Sequence, residues 1–345
     1  MGDYNTEDMI RYSKIAEECS YDSIWVAEDL GFRDAIGPLA SLAVSTLKIN
    51  LATGILPVYY RSPALVAMTI ATLDELSKGR IILGLGNGVR SYVEKQGIKV
   101  EKSLRTMREY VEIIRLILTE ESVEYQGQIH SLKGTKLEFR PFRTIVPIYI
   151  AARGPKMFQL AGEIADGVLI SDGFCTDNYV KWALRNVSVG AKKVRRDPIN
   201  VDFAALIFLS VSNDHNEARE NVKASVLSLL AEGTLNPHLQ TLGLDEDDLT
   251  PTRFALERGN FKEARGWIDQ YDRAGTRVHQ SHGLADNQLQ RLLRIERGMN
   301  DVAHLIEQLQ PLMPPCQFCQ FVAHVAERLN SSHPQHQCRS KRPEN

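Results

Sequence analysis

For the first 210 residues, short apolar runs alternate with stretches whose apolar positions recur every three or four residues. The runs at 23–27, 48–53, 80–88, 147–152, 167–171 and 200–211 have the length and composition of buried strands. Between them, helical spacing appears over 6–19, 34–46, 63–79, 104–120, 155–165, 176–194 and 216–231. Thr6 is available to cap the first of these helices ahead of Glu7 and Asp8. Residues 122–139 interrupt the rhythm with a small hairpin turning at Gln126 and Gly127. A second interruption, 233–268, reads as an irregular insertion with an acidic run at 245–248 and a short helix over 260–268.

Strand and helix alternation sustained this long argues for an α/β protein with a parallel sheet, and so many units favour a (β/α)8 TIM barrel over an open sheet. Six strands are countable where eight are needed. One is missing before the first helix, and one is due near residue 270, so the barrel is expected to be incomplete at its first and eighth strands. Those two strands are neighbours in a closed barrel, so strands near 24 and 205 would be left as unpaired edges.

The barrel domain is therefore 1–268, and 269–345 is an atypical C-terminal segment. Beyond 269 lie ten of the fifteen glutamines, six of the nine histidines and three of the five cysteines, and no strand-like apolar run is evident. The shift is abrupt enough to suggest a divergent or out-of-frame end, with helices at 286–298 and 299–310 and a disordered tail from 331.

A formal net charge of -2 gives no reason to expect a nucleic-acid or membrane partner. No run approaches the roughly 18 apolar residues of a membrane span, and the acidic N-terminus does not read as a signal peptide. Scattered cysteines make a cytoplasmic location the default. Cys316, Cys319 and His324 have zinc-like spacing but no second pair, so no metal is expected.

Chemistry concentrates on residues 51–88. A strand runs into Gly54-Ile55, a Pro-bounded turn starts a helix, and a second strand ends in Gly86-Asn87-Gly88. Glycines at strand ends let a flat ligand approach the backbone, on the side where α/β proteins bind ligands. Tight packing explains them equally well. Ala152-Arg153-Gly154-Pro155 places Pro at a first helical position after a strand, which suits a phosphate or is a plain turn. Glu28 and Asp29 leave a buried strand as adjacent carboxylates. At most one of them faces a pocket; the other would cap the next helix or pair with Arg33. Asp74 reads as structural, paired with Arg80 or a neighbouring loop.

Taken in order, Trp25-Val-Ala-Glu-Asp29 with Arg33-Asp34, Thr53-Gly-Ile55, Arg61-Ser-Pro63, residues 72–80, Gly84-Leu-Gly86, residues 151–157 and residues 160–167 resemble the bacterial-luciferase-like flavin and deazaflavin oxidoreductases. Within them the chain is most similar to the coenzyme F420-dependent methylenetetrahydromethanopterin reductases.

The resemblance implies a barrel whose cofactor, F420 or alternatively FMN, lies across the C-terminal strand ends. It implies a non-prolyl cis peptide at Gly54-Ile55, preceded by Thr53, that bulges against the ring. It further implies a ring edge met by Gly86, Asn87 and Gly88, a phosphate at Ala152–Pro155, and catalysis involving Glu28 and Asp29. Many relatives carry Asp-His at those last two places, and the absence of His favours the reductase branch, whose hydride goes to an iminium carbon of a one-carbon pterin carrier. The implied partners are a small-molecule substrate and further copies of the chain in a homo-oligomer. An FMN-dependent monooxygenase is the second expectation. A third is an inactive copy, because relatives draw a catalytic acid from a first strand that this chain begins too late to carry.

Overall fold

The computed structural model describes residues 5–173, 177–209, 246–260, 263–264 and 319–325. All six expected strands are present: β1 (Ser23–Val26), β2 (Asn50–Thr53), β4 (Ile81–Gly86), β7 (Ile148–Ala152), β8 (Gly167–Gly173) and β9 (Asp202–Leu209). They pair in chain order and in parallel, as successive βα units demand. A two-residue strand, β3 (Leu56–Pro57), adds to β4. The hairpin is β5 (Val123–Gln126) with β6 (Ser131–Thr135), antiparallel and separate from the main sheet.

The helices are α1 (Thr6–Glu18), α2 (Ile36–Ser45), α3 (Pro63–Ser77), α4 (Arg90–Glu94), α5 (Ser103–Thr119), α6 (Pro155–Ile164), α7 (Asp177–Lys193) and α8 (Glu246–Glu257). Every residue of β4 is buried because helices cover one face and inward side chains the other. The larger core lies between sheet and helices, around Leu51, Ile70, Leu83, Tyr110 and Phe158.

Local chemistry departs from expectation at several ends. Asn5, not Thr6, caps α1, its side chain accepting from Asp8 N at 2.8 Å. Asp34 stays outside α2 and accepts from the Ile36 and Gly37 amides, each at 2.9 Å, so the helix starts two residues later than its apolar pattern. Asp74 pairs with Arg143 of a neighbouring loop and accepts from Ile81 N at 3.3 Å. Arg80 instead spends its guanidinium on carbonyls of Ala43, Thr46 and Ile49, closing the end of α2.

Two expectations are corrected. The segment 233–268 is not irregular throughout, because α8 occupies part of it, with Pro251 inside the helix. The C-terminal segment is not without a strand: β10 (Cys319–Val325) runs antiparallel along β9, from Cys319 opposite Leu209 to Val325 opposite Phe203. It also approaches β1, so the seam expected to expose two edges is occupied. The helices expected at 216–231, 286–298 and 299–310 and the tail from 331 lie outside the described residues, as does most of the short helix expected at 260–268.

Candidate functional site

Inside the curve of the sheet, Trp25, Ala52, Ile82, Tyr149, Leu169 and Ala204, one from each parallel strand, form an apolar layer. Trp25 and Tyr149 meet edge to face with ring centroids 5.4 Å apart. The Tyr149 hydroxyl bonds the Asp202 carboxylate, and burial followed by that bond raises the pKa of the phenol.

Moving two residues along each strand keeps a side chain on the same face. The next inward positions toward the C-terminal ends are Gly54, Gly84, Gly86 and Ala151. A Cβ at 84 would lie 2.0 Å from the Thr53 carbonyl oxygen, and one at 54 would lie 2.9 Å from the Trp25 Cβ. One at 86 would lie 2.8 Å from the Ile55 Cδ1 and 3.3 Å from the Ala151 Cβ. Side chains there would collide with the Thr53 backbone, Trp25 and Ile55. Instead Ile55 and Ala151 lie half-buried on a floor of small residues.

The Gly54–Ile55 peptide is cis. Its flanks are tied on both sides: Gly54 N donates to Val26 O at 2.7 Å and Glu28 N to Ile55 O at 3.3 Å. The Thr53 hydroxyl donates to Gly84 O and accepts from Gly84 N, each at 2.8 Å. Thr53 therefore joins β2 to β4 and sets the floor's backbone without reaching over it. At the edge of the floor, Asn87 carries a buried Oδ1 with no hydrogen-bond partner among the described residues. Burying an amide oxygen unpaired is costly, so this atom is available to a ligand group. Gly88 follows with φ +70°, and a Cβ there would meet Pro57 at 3.1 Å.

β7 delivers Ala152, Arg153 and Gly154 to the same rim. Ala152 is buried, Arg153 is half-buried, and the Arg153 carbonyl accepts from the Tyr179 hydroxyl at 2.9 Å. Gly154 is the N-cap of α6 with no side-chain cap bond, Pro155 fills the first helical position, and nothing lies within 4 Å of a Cβ built at Gly154. Open backbone at a helix N-terminus suits an anion. Ala151 is within reach of Gly86 and Ile55, and Gly154 is three residues on, at most about 10 Å of extended chain. The floor and this open helix start thus share one end of the sheet.

Of the two adjacent carboxylates, Glu28 is buried and fully engaged. One oxygen pairs with the Arg61 guanidinium and the other accepts from Ala35 N at 3.1 Å. It joins α2, the β2–β3 bend and the loop before α3. Asp29 is half-buried beside it. Burial, and then the charge of Asp29, raise the pKa of the Tyr60 phenol, against the opposing influence of the Gln96 side chain and the Leu30 backbone beside the hydroxyl.

Tyr60 and Arg61 line a cavity of about 460 Å³, together with His130 from the hairpin. The His130 Nε2 is buried and has no partner among the described residues, and burial lowers the imidazole pKa despite Glu109 nearby. Neither Tyr60 nor His130 stands out in the sequence. Only the Pro57-Val-Tyr-Tyr-Arg61 turn hints at an aromatic group beside a charge.

A floor bare of side chains at Gly54, Gly84 and Gly86, an amide oxygen at its edge with no partner among the described residues and a helix start with no side-chain cap are compatible with a planar ring and a phosphate-bearing tail. The model for luciferase-like monooxygenases matches residues 2–310. The 5,10-methylenetetrahydromethanopterin reductase of Archaeoglobus fulgidus is 39% identical over 257 residues, 74% of this chain and 76% of that protein. That of Methanolobus tindarius is 36% identical over 255 residues, 74% of this chain and 77% of that protein. The solved coenzyme F420-dependent tetrahydromethanopterin reductase from Methanopyrus kandleri superposes with a TM-score of 0.70 at 30% identity, covering 77% of this chain and 80% of that one. With a match of that extent and a fold shared with a solved member, this chain belongs to the luciferase-like monooxygenase family.

Proposed function

We propose that this chain is an F420-dependent oxidoreductase that moves a hydride between the reduced deazaflavin and a one-carbon pterin carrier such as methylenetetrahydromethanopterin. The observation that carries the reading is the 39% identity to the Archaeoglobus reductase over three quarters of both chains. The glycine and alanine floor is compatible with it, because these positions put no bulky side chain at the strand ends.

Bound there, reduced F420 supplies a hydride from C5. Gly54, Ile55, Gly86 and Ala151 would carry the ring. Asn87 and Gly88 would meet its pyrimidine-like edge, and Ala152 to Pro155 would hold the phosphate. Holding donor and acceptor together away from water supplies most of the rate.

Glu28 acts as a positioning residue, because both its oxygens are engaged. Asp29 and Tyr60 are the groups placed to touch substrate, the phenol donating a hydrogen bond at neutral pH. The cavity between Tyr60 and His130 takes the polar heterocycle, which would satisfy the His130 Nε2, without a partner among the described residues.

FMN chemistry is the second reading, because the same floor would accept an isoalloxazine. Fluorescence titration of the purified protein with F420 and with FMN separates the two. Tight FMN binding with no F420 response would overturn the leading reading.

A homo-oligomer is proposed as well. Leu65, Met68 and Leu76 are 43%, 44% and 41% exposed along one side of α3, and Val44 and Leu47 are more exposed still. No described helix is long and apolar enough to cross a membrane, and cysteine usage points to the cytoplasm.

A further inference from the structure

The chain leaves β1 through a tight turn, Asp29 to Phe32, beside the floor at the strand ends. Glu28 N meets Ile55 O at 3.3 Å, and Phe32 N donates to Asp29 O at 3.1 Å, closing the turn. Gly31, in the third position of the turn, takes φ +94°, a conformation that favours glycine there. Both flanks are fixed: Glu28 is held by Arg61 and Ala35 N, and Asp34 accepts from the first two amides of α2. The turn is therefore a braced projection, and its two largest side chains are apolar and exposed, Leu30 at 44% and Phe32 at 55%. A turn that serves only to redirect the chain favours glycine, proline and small polar residues. Among the described residues nothing lies within 4 Å of a Cβ built at Gly31, so there is open space between the two side chains.

The surroundings narrow what this apolar pair covers. The Leu30 backbone lies beside the Tyr60 hydroxyl, and the charge of Asp29 acts on the same phenol. Tyr60 lines the cavity assigned above to the polar heterocycle, so the turn borders that cavity. Arg61, Ser62, Thr106 and His130 line it too, and each offers a polar group to a heterocycle. In a methylene-bearing pterin carrier the one-carbon unit joins a nitrogen of the reduced heterocycle to the nitrogen of an arylamine. The aryl ring must then lie next to the heterocycle, across the reacting carbon. It has apolar surface to bury and little hydrogen bonding to satisfy, which suits Leu30 and Phe32 and not the cavity wall.

We propose that the Leu30 to Phe32 turn seats the aryl ring of the carrier, and so selects carriers that hold the one-carbon unit between a reduced heterocycle and an arylamine. The inference rests on the proposed function. A turn braced beforehand gives up little conformational freedom on binding, so the contact counts toward affinity.

The test compares two ligands of the same pocket: methylenetetrahydromethanopterin, read as KM and kcat with reduced F420, and 6-methyltetrahydropterin, which lacks the aryl ring, read as a competitive inhibition constant. Leu30→Ser with Phe32→Ser should raise KM about tenfold and leave kcat within about threefold of wild type. The inhibition constant of 6-methyltetrahydropterin and the F420 dissociation constant should not move. Phe32→Leu, which keeps an apolar surface, should hold KM within about threefold. An unchanged KM in the double variant, an inhibition constant that rises as much as KM, or a tenfold rise with Phe32→Leu would each overturn the proposal and leave the F420 reading standing. A wild-type protein that fails to bind F420, or binds it and does not reduce the carrier, would overturn the proposed function and this inference together. Both side chains are exposed, so a urea midpoint matching wild type is expected, and the single serine variants decide the matter if the double variant does not fold.

Discussion

Glu28→Gln separates two roles that a buried carboxylate at a strand end can have. The side chain is 8% exposed and its partner Arg61 is 23% exposed. Glutamine keeps the volume and an oxygen for Ala35 N but removes the charge facing the guanidinium. Breaking a wholly buried pair costs about 3–5 kcal/mol, and a charge-assisted hydrogen bond is worth about 1.5–3 kcal/mol net. Arg61 retains some access to water, so the lower range applies and about 1.5–3 kcal/mol of stability should be lost, read as a lower urea midpoint at unchanged slope. The Glu28 amide supports the Ile55 carbonyl and the Arg61 carbonyl accepts from Tyr110 at 3.0 Å, so the loss should spread to the ring floor. F420 affinity and KM should then weaken several-fold, with kcat within about tenfold of wild type. A proton-transferring Glu28 would behave differently, with kcat falling about 10²- to 10⁴-fold and one limb of the pH profile disappearing. A hundredfold loss of kcat with an unchanged urea midpoint would refute the positioning role.

Asn87→Ala removes an amide whose oxygen has no partner among the described residues, so stability should hold within about 0.5 kcal/mol while F420 affinity falls at least several-fold by fluorescence titration. Gly84→Ala drives a Cβ against the Thr53 carbonyl, and backbone there cannot yield; a loss of about 3 kcal/mol or more, or insoluble expression, is expected in denaturation. The Glu109 carboxyl is pushed up by burial, but the amides of His130, Gln128 and Ile129 more than offset this and hold its pKa below the ordinary value. Its contribution should therefore be complete above the usual carboxylate range and fade as pH falls through the lowered value. The hydrogen-exchange protection factors of the 127–131 turn should fall as the pH drops below the ordinary carboxylate range. Glu109→Gln should reproduce the acid behaviour at pH 7, and a turn still as protected as wild type would count against the clamp.

Most of the barrel was legible because strand burial and helix spacing are local signals, repeated unit after unit along the chain. The tight packing at the strand ends was legible for a related reason: Gly54, Gly84 and Gly86 mark places where Trp25, the Thr53 backbone and Ile55 approach too closely for a Cβ, and such close approach is what glycine in a strand advertises. Side-chain pairings were not legible, because they join residues remote in sequence through loops of no fixed pattern.

Glu28 finds Arg61 rather than Arg33, Asp74 finds Arg143 on a neighbouring loop, the second of its two expected partners, and Glu17 collects the amides of Leu47, Lys48 and Ile49 around a turn thirty residues away. Each chosen partner is set by which loop the barrel folds against the carboxylate. The strand along β9 escaped for the opposite reason. Cys319 to Val325 lies in a stretch whose composition is unlike the rest, and it gains its place from an exposed strand edge more than a hundred residues earlier in the chain. An edge with unpaired amides and carbonyls selects any segment able to extend, so its partner is dictated by the sheet and only weakly by the segment's own sequence.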